Sequence, residues 1–494
     1  MFPERTVGYN ARTFLIDGQP EIVLCAAAPY SRVPRHLWAD HIARMKRGGM
    51  NAIATGVDWN ACEAKPGDFD SADDRDLDAF LSECERQGMY VIVRLGSFTG
   101  AEPFLPTPDR WLDALAPLIA RHQWTRGGGV ILVQVEDGCA DTDTDDEQWR
   151  VFQDGLVRRG ITVPVVSRRG PAEGADGLDD PAERVAAAQR GGTVDGPLLA
   201  TGFGGVGEDL EYASLRCWAG GAGGCIYDDL LSEDGRLTDR WHAARRVAWW
   251  ARTFREILTT GERRSGIRAT DGLRASETRT PQRGGILFVD NPDPGRTVTG
   301  SVAPYLPEVT LGPRTLLPWV HDVPLGPADR YLSAYAGLVK SDARVLHAHV
   351  LPDPHEGSRV YVYGAPGERA EVVLWSGGER GQAAHVTFAT TPQVAFAGPS
   401  QVVALSTQHA GRVWIAETDE NAPVLIGPDD VRAHESGHFV GEFTPDGTHI
   451  VHVLYPDGTL SQLSVDANDD SLVRAGLSPL PPSLPSGFAE GRGS

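Results

Sequence analysis

The sequence predicts an α/β protein: a (β/α)8 TIM-type barrel over residues 1–260, followed by all-β sandwich-like modules. Three observations carry this expectation. Strand and helix signals alternate as repeated βα units through the first half. The run Val130-Ile131-Leu132-Val133-Gln134-Val135 is almost wholly apolar, as a strand buried on both faces must be. From Gly266 onward the character changes, and short apolar runs alternate with turn signals.

The elements follow in order. Ile22–Ala26 reads as barrel strand one, and Trp38, Ile42 and Met45 follow at helical spacing. Asn51–Thr55 is strand two. Leu77, Phe80, Leu81 and Cys84 mark the next helix. Tyr90–Arg94 is strand three, and Leu112, Leu115 and Leu118 mark a third helix. Val130–Val135 is strand four and Val163–Val166 strand five. Strand six is not legible in 170–195, a Gly- and Asp-rich stretch. Leu198–Ala200 reads as strand seven and Cys225–Tyr227 as strand eight. A last helix carries Trp241, Ala244, Val247, Ala248 and Ala251 on one face. Beyond it, turn signals such as Asp290-Asn291-Pro292 and Tyr455-Pro456-Asp457-Gly458 separate runs such as Val360–Tyr363 and Val402–Leu405. The expected division is a β module over 261–345, a second over 346–470, and a Pro-rich flexible tail over 471–494.

Composition narrows the function classes. With 494 residues, 41% hydrophobic and 12 Trp, the chain supports more than one real core. A net charge of -21 repels phosphate backbones, so nucleic acid is not an expected partner. Solubility is the plain reading of that charge. No apolar run reaches membrane-spanning length and no signal-peptide pattern is seen. The 6 cysteines have neither CxxC nor zinc-ligand spacing. A reduced cytoplasmic protein without cofactor or metal is expected. The acidic run Asp141–Glu147 lacks the glycine and distal glutamate of an EF-hand loop and reads as a solvated loop and helix N-cap.

In a barrel of this kind chemistry sits at the C-terminal ends of the strands. Strand two ends in Asp58-Trp59-Asn60, with Glu63 just after. Strand three ends in Arg94, with Glu102 in the following loop. Strand four ends in Glu136-Asp137, and strand eight in Tyr227-Asp228-Asp229. Carboxylates accept hydroxyl hydrogen bonds, and aromatic faces pack on the apolar face of a pyranose. This mouth therefore suits a sugar. Each group has a structural reading beside the functional one. Arg94 and Glu136 form a buried ion pair, Trp59 belongs to the core, or Asp228-Asp229 cap the connection into the last helix.

Longer motifs sharpen this. Phe14-Leu15-Ile16-Asp17-Gly18-Gln19-Pro20 is followed by Tyr30-Ser31-Arg32-Val33-Pro34. Gly49-Met50-Asn51-Ala52-Ile53, Trp59-Asn60, Pro66-Gly67-Asp68-Phe69-Asp70 and Gly88–Arg94 come next. Ala101-Glu102, Gly128–Glu136, Pro197-Leu198 and Tyr227-Asp228 complete the barrel set. In these stretches the chain resembles family-35 glycoside hydrolases, the β-galactosidases. Val362–Glu368 and Val424–Pro428 are similar to the β domains of larger members.

The resemblance implies two catalytic glutamates. Its strand-four motif continues Val-Glu-Asn-Glu, the second glutamate being the acid/base; here Asp137 stands at the asparagine and Gly138 at that glutamate. The nucleophile follows Pro-Leu on strand seven, before an aromatic; here that place is Gly202, before Phe203. A galactose-contacting tyrosine ahead of Trp59-Asn60 is replaced by Gly56, and a His-Tyr pair by Pro29-Tyr30. Glu102, Asp137 and Tyr227 remain of the implied sugar contacts.

Retaining hydrolysis needs two carboxyls about 5–5.5 Å apart, and inversion about 6.5–9.5 Å. Glu136 shares Gly138's strand face but lies roughly 6–7 Å deeper. Glu208 is the nearest acid after Gly202. The expectation is a non-hydrolysing carbohydrate-binding protein, with Glu102, Glu136, Asp137, Tyr227, Asp228, Trp59, Asn60 and Tyr30 as candidate contacts. Two other readings stand: an active glycosidase using relocated acids (Asp137, Glu102 or Asp228), and a scaffold that binds no sugar. The sequence does not state the oligomeric state.

Overall fold

A computed structural model describes residues 5–57, 73–95, 108–135, 153–167, 180–191, 196–232, 234–281, 284–325, 336–351, 357–376, 379–415, 423–433, 439–443, 447–467 and 475–477. The chain divides into two compact units, Met1–Pro324 and Leu325–Ser494.

The first unit opens with a small antiparallel sheet of β1 (Val7–Tyr9), β2 (Phe14–Ile16) and β3 (Gln19–Glu21). Phe14 and Ile16 share one buried cluster with Val23 and Ala52, which begin the next two strands. This sheet therefore covers the N-terminal end of the barrel.

The barrel follows as β4 (Val23–Ala27), α1 (Trp38–Arg47), β5 (Ala52–Val57), α2 (Leu77–Arg86), β6 (Tyr90–Leu95), α3 (Pro108–Arg121) and β7 (Val130–Val135). It continues with β8 (Val165–Ser167), α4 (Pro181–Gly191), β9 (Leu199–Ala200), α5 (Gly207–Gly220), β10 (Gly224–Tyr227), α6 (Asp239–Thr253) and α7 (Arg255–Thr260). The strands are parallel, in the order β8-β7-β6-β5-β4-β10-β9. Read as barrel strands, that order is five to one, then eight and seven, the circular order of a (β/α)8 barrel. Residues 168–179, between strand five and α4, lie outside the described residues.

The apolar patterns account for these elements. Every residue of β7 is buried, so the strand has no solvent face to mark with polar residues. In α2 the buried set is Leu77, Phe80, Leu81 and Cys84, one helical stripe, and Asp76 caps the helix by accepting from the Ala79 amide at 2.9 Å. Burying such side chains contributes about 1.5–3 kcal/mol each for the large apolar ones. In α6 Trp241, Ala244, Val247, Ala248 and Ala251 are buried, and the cap is Thr238, whose Oγ1 accepts from the Trp241 amide at 3.2 Å. The capping alternative for Asp228-Asp229 is thereby corrected, because Thr238 already holds the N-cap.

The same unit continues into antiparallel structure. The strands are β11 (Glu262–Arg264), β12 (Arg274–Thr280), β13 (Gly284–Asn291), β14 (Val298–Val302), β15 (Leu306–Leu311) and β16 (Thr315–Pro324). β11, β12, β13 and β16 are neighbours in one sheet, and β14 pairs with β15. Leu287, Val289, Leu317 and Trp319 pack with Val298 and Leu306 in a second core. The barrel flank joins this layer where the Tyr212 hydroxyl of α5 donates to Asp290 Oδ1 of β13 at 2.9 Å.

The second unit is mainly β. It contains β17 (Ala336–Ser341), β18 (Arg344–Val350), β19 (Ser358–Gly364), β20 (Arg369–Ser376), β21 (Glu379–Thr387), β22 (Gln393–Ala397) and β23 (Ser400–Ser406). Strand β20 pairs antiparallel with β17 and β21. Strand β19 pairs antiparallel with β18 and parallel with β23. A four-stranded sheet uses Val413–Trp414, Val424–Ile426, Gly447–Leu454 and Leu460–Ala467. A three-stranded sheet uses Asp430–Ala433, Phe439–Glu442 and Ala475–Leu477. The expected tail falls outside the described residues. Among the described residues no helix is long and apolar enough to cross a membrane.

Candidate functional site

The site is built from the barrel interior upward. Cys25, Ala54, Ile92, Leu132, Leu199 and Ile226 belong to one buried cluster. Side chains alternate along a strand, so the interior layer two residues nearer the mouth is Ala27, Gly56, Arg94, Gln134, Thr201 and Asp228. Strand pairing agrees: Gly56 is opposite Arg94, and Arg94 opposite Gln134.

This layer is open at one point and charged at others. A Cβ added at Gly56 would meet no atom within 4 Å, so strand two leaves space there. Burial pushes the Asp228 carboxyl above its ordinary value, and the positive charges of Arg94 and Arg240 oppose that rise while Asp229 adds to it. The Cys25 thiol is also pushed up by burial, with Arg94 opposing and Asp228 adding. Arg94, Cys25 and Asp228 thus act on one another across the top of the barrel. Asp228 is half-buried, able to accept a hydroxyl or, when protonated, to donate.

Two arginines from the outer helices tie the mouth together. Arg240 of α6 donates from Nε to the Asp228 carbonyl at 3.1 Å, from Nη2 to the Phe203 carbonyl at 2.9 Å, and from Nη1 to the Gly205 carbonyl. One guanidinium thereby fixes the end of strand eight against the loop after strand seven. Arg184 of α4 donates from Nη2 to the Thr201 carbonyl. Neither residue carried a sequence signal, since each acts 17 or more positions from its partners except at Asp228, itself 12 away.

The position implied for the nucleophile has unusual geometry. Gly202 has φ +69°, in the left-handed region. A Cβ there would lie 3.0 Å from Arg184 Nη2. Gly202→Glu is therefore expected to lower stability by about 1–3 kcal/mol through the backbone conformation, with displacement of Arg184 in addition. Urea unfolding of the variant against the parent checks this; equal stability contradicts it.

The two described candidate aromatics, Tyr30 and Tyr227, serve the core. The Tyr30 side chain is buried, with its ring 5.6 Å from Phe80 and 6.3 Å from Trp38. Its own carbonyl and that of Val33 accept from Trp38 Nε1 at 3.3 and 2.8 Å. Tyr227 is fully buried and stacks on Phe203 at 5.0 Å. Ile226 occupies the interior cluster, so the alternation turns Tyr227 outward, toward Ser214 and Cys217 of α5, which act on its ionisation. Trp59, Asn60, Glu102, Glu136, Asp137 and Gly138 lie outside the described residues, as does Glu63. Of the expected contacts, Asp228 is the described one placed in the interior layer.

Residues 13–103 match the family model of glycosyl hydrolases family 35. The β-galactosidase of Canis lupus familiaris is 32% identical over 179 residues, 32% of this chain and 27% of that one. The β-galactosidase of Homo sapiens is 34% identical over 154 residues, 26% of this chain and 23% of that one. The match thus spans about a quarter of those curated relatives. A solved family 39 glycoside hydrolase from Bacteroides cellulosilyticus superposes with a TM-score of 0.39 at 13% identity, over 59% of this chain and 76% of that chain. The matched segment runs from β2 past β6 and includes Gly56 and Arg94 of the mouth. Over this barrel segment the chain is similar to glycosyl hydrolases family 35.

Proposed function

We propose that this protein binds a galactose-like sugar or a larger glycan at the barrel mouth and does not hydrolyse it. The observation that carries the reading is Gly202: at the position the resemblance implies for the nucleophile there is no side chain, the backbone is left-handed, and a guanidinium stands 3.0 Å from where a side chain would begin. Gly138, at the implied acid/base position, removes the second group by sequence. Retaining hydrolysis needs one residue to attack the anomeric carbon and one to protonate the leaving oxygen. Glycine does neither. The space at Gly56 favours a ligand bulkier there than galactose.

A second reading is favoured by one observation. The Asp228 carboxyl is raised by burial, as a general acid needs, so a relocated site would be built on it. A cytoplasmic location belongs to the preferred reading, supported by Cys25, Cys84, Cys217 and Cys225, which are free and buried. The net charge of -21 argues against nucleic acid as the partner.

Calorimetry with neutral mono- and oligosaccharides, beside turnover assays on the same sugars, tests the function. Saturable heat with no product release is expected. Product release at enzymatic rates overturns the reading. Absence of heat with every sugar, acidic ones included, from folded protein favours a scaffold instead.

A further inference from the structure

We infer that the sugar recognised at this mouth carries a negative charge, and that Arg184 is the residue that recognises it. The inference rests on the binding function proposed above and narrows its ligand class.

A family 35 nucleophile would put a carboxylate on residue 202. Here the charge at that place has the opposite sign. Arg184 brings its Nη2 within 3.0 Å of the Gly202 Cβ position, with Nη1 and Cζ at 3.9 Å. Among the described residues the guanidinium makes one hydrogen bond, to the Thr201 carbonyl, and no ion pair. A guanidinium has five N–H donors in a planar fork that matches carboxylate or sulfate oxygens. Most of that fork is uncommitted, and Gly202 supplies no side chain to cover it.

The surroundings agree. Arg240 contributes a second positive charge on the loop after strand seven, its donors already spent on three carbonyls. Arg94 contributes a third within the barrel, where its field reaches both Asp228 and Cys25. The Asp228 and Asp229 carboxylates lie with Arg94 and Arg240, whose charges act on Asp228. A neutral sugar leaves the Arg184 fork unused, and a uronate or a sulfated sugar fills it. An anion there gains from the Arg184 charge, and the gain weakens with salt.

The test is calorimetry on the full chain with galactose, galacturonate, galactose 6-sulfate and inorganic sulfate. At least one acidic sugar is expected to bind tenfold or more tighter than galactose, with an affinity that falls as salt rises. Galacturonate alone identifies a carboxylate as the anion, and galactose 6-sulfate alone a sulfate ester. Arg184→Gln should abolish the preference for the acidic sugars over galactose. Arg184→Lys should keep part of it, which guards against a folding defect in the first variant; thermal melting of both variants is recorded. Equal affinity for galactose and both acidic sugars overturns the inference while leaving sugar binding intact. So does an acidic preference that survives in Arg184→Gln. Inorganic sulfate binding as tightly as the acidic sugars also overturns it, because the sugar then adds nothing. Absence of heat with every sugar overturns the binding function itself.

Discussion

Glu211→Gln is expected to destabilise the first unit by about 3–5 kcal/mol. Glu211 on α5 and Arg246 on α6 are 1% and 5% exposed, and Arg246 Nε donates to Glu211 Oε2 at 2.7 Å. These helices cover strands seven and eight. Removing the carboxylate leaves the Arg246 charge in a place where water cannot replace its partner. In a unit of this size that loss lowers the melting temperature by on the order of 10 °C. Glu83→Gln is the control. Its partner Arg86 is exposed, and the 2.5 Å contact is an i,i+3 surface pair. Such pairs contribute about 1 kcal/mol or less. Replacing Glu211 and Arg246 together by leucine should recover most of the loss, because neither charge of the pair is then left buried. If Glu211→Gln and Glu83→Gln shift the melting temperature equally, the buried pair does not hold these helices.

The second unit should lose stability in acid between pH 6.5 and about 4. Burial lowers the His349 imidazole to about 4, with the Arg359 charge acting in the same direction. Burial also lowers His409 to about 4, helped by His452 and Arg412. His409 Nδ1 lies 2.9 Å from Ser406 Oγ. A histidine lowered in the folded state binds its proton more readily when unfolded. Its contribution is therefore complete above the ordinary value near 6.5 and falls away as pH drops toward 4. Each residue costs about 3 kcal/mol over that window. Chemical denaturation of the full chain at pH 7, 5.5 and 4.5, followed by a probe in the second unit, measures the slope. His349→Phe should flatten it by about half. A midpoint independent of pH over this window contradicts the account.

The barrel was legible because its strands are buried on both faces and its helices carry one apolar stripe. Val130–Val135 is a short run rich in β-branched residues, and all six are buried, as an inner strand requires. Strand five begins at Val165, not Val163, because Pro164 has no amide to donate; its carbonyl instead accepts from Val133 at 3.0 Å. The site was less legible for a different reason. A tyrosine beside a strand end reads the same whether it faces the mouth or the helices. Ile226 decides the matter for Tyr227 only once it is seen in the interior cluster. For Tyr30, the rings of Trp38 and Phe80 decide it. Arg184 and Arg240 left no local trace because they reach the mouth from outer helices. Gly202 left a partial one: the resemblance implies a glutamate at this place, but not the left-handed backbone or the guanidinium beside it.

That substitution is the centre of the account, and aryl β-galactosides test it most directly. Their leaving group needs little protonation, so they are the most permissive substrates for a damaged site. Purified protein is incubated with nitrophenyl β-galactoside from pH 4 to 8, beside Asp228→Asn and the double variant Gly138→Glu with Gly202→Glu. The predicted result is release no faster than a trace from the parent, no change in Asp228→Asn, and at most slight gain in the double variant, whose second glutamate meets a strained backbone and Arg184. Robust turnover by the parent that disappears in Asp228→Asn would contradict the account and place a working acid on strand eight.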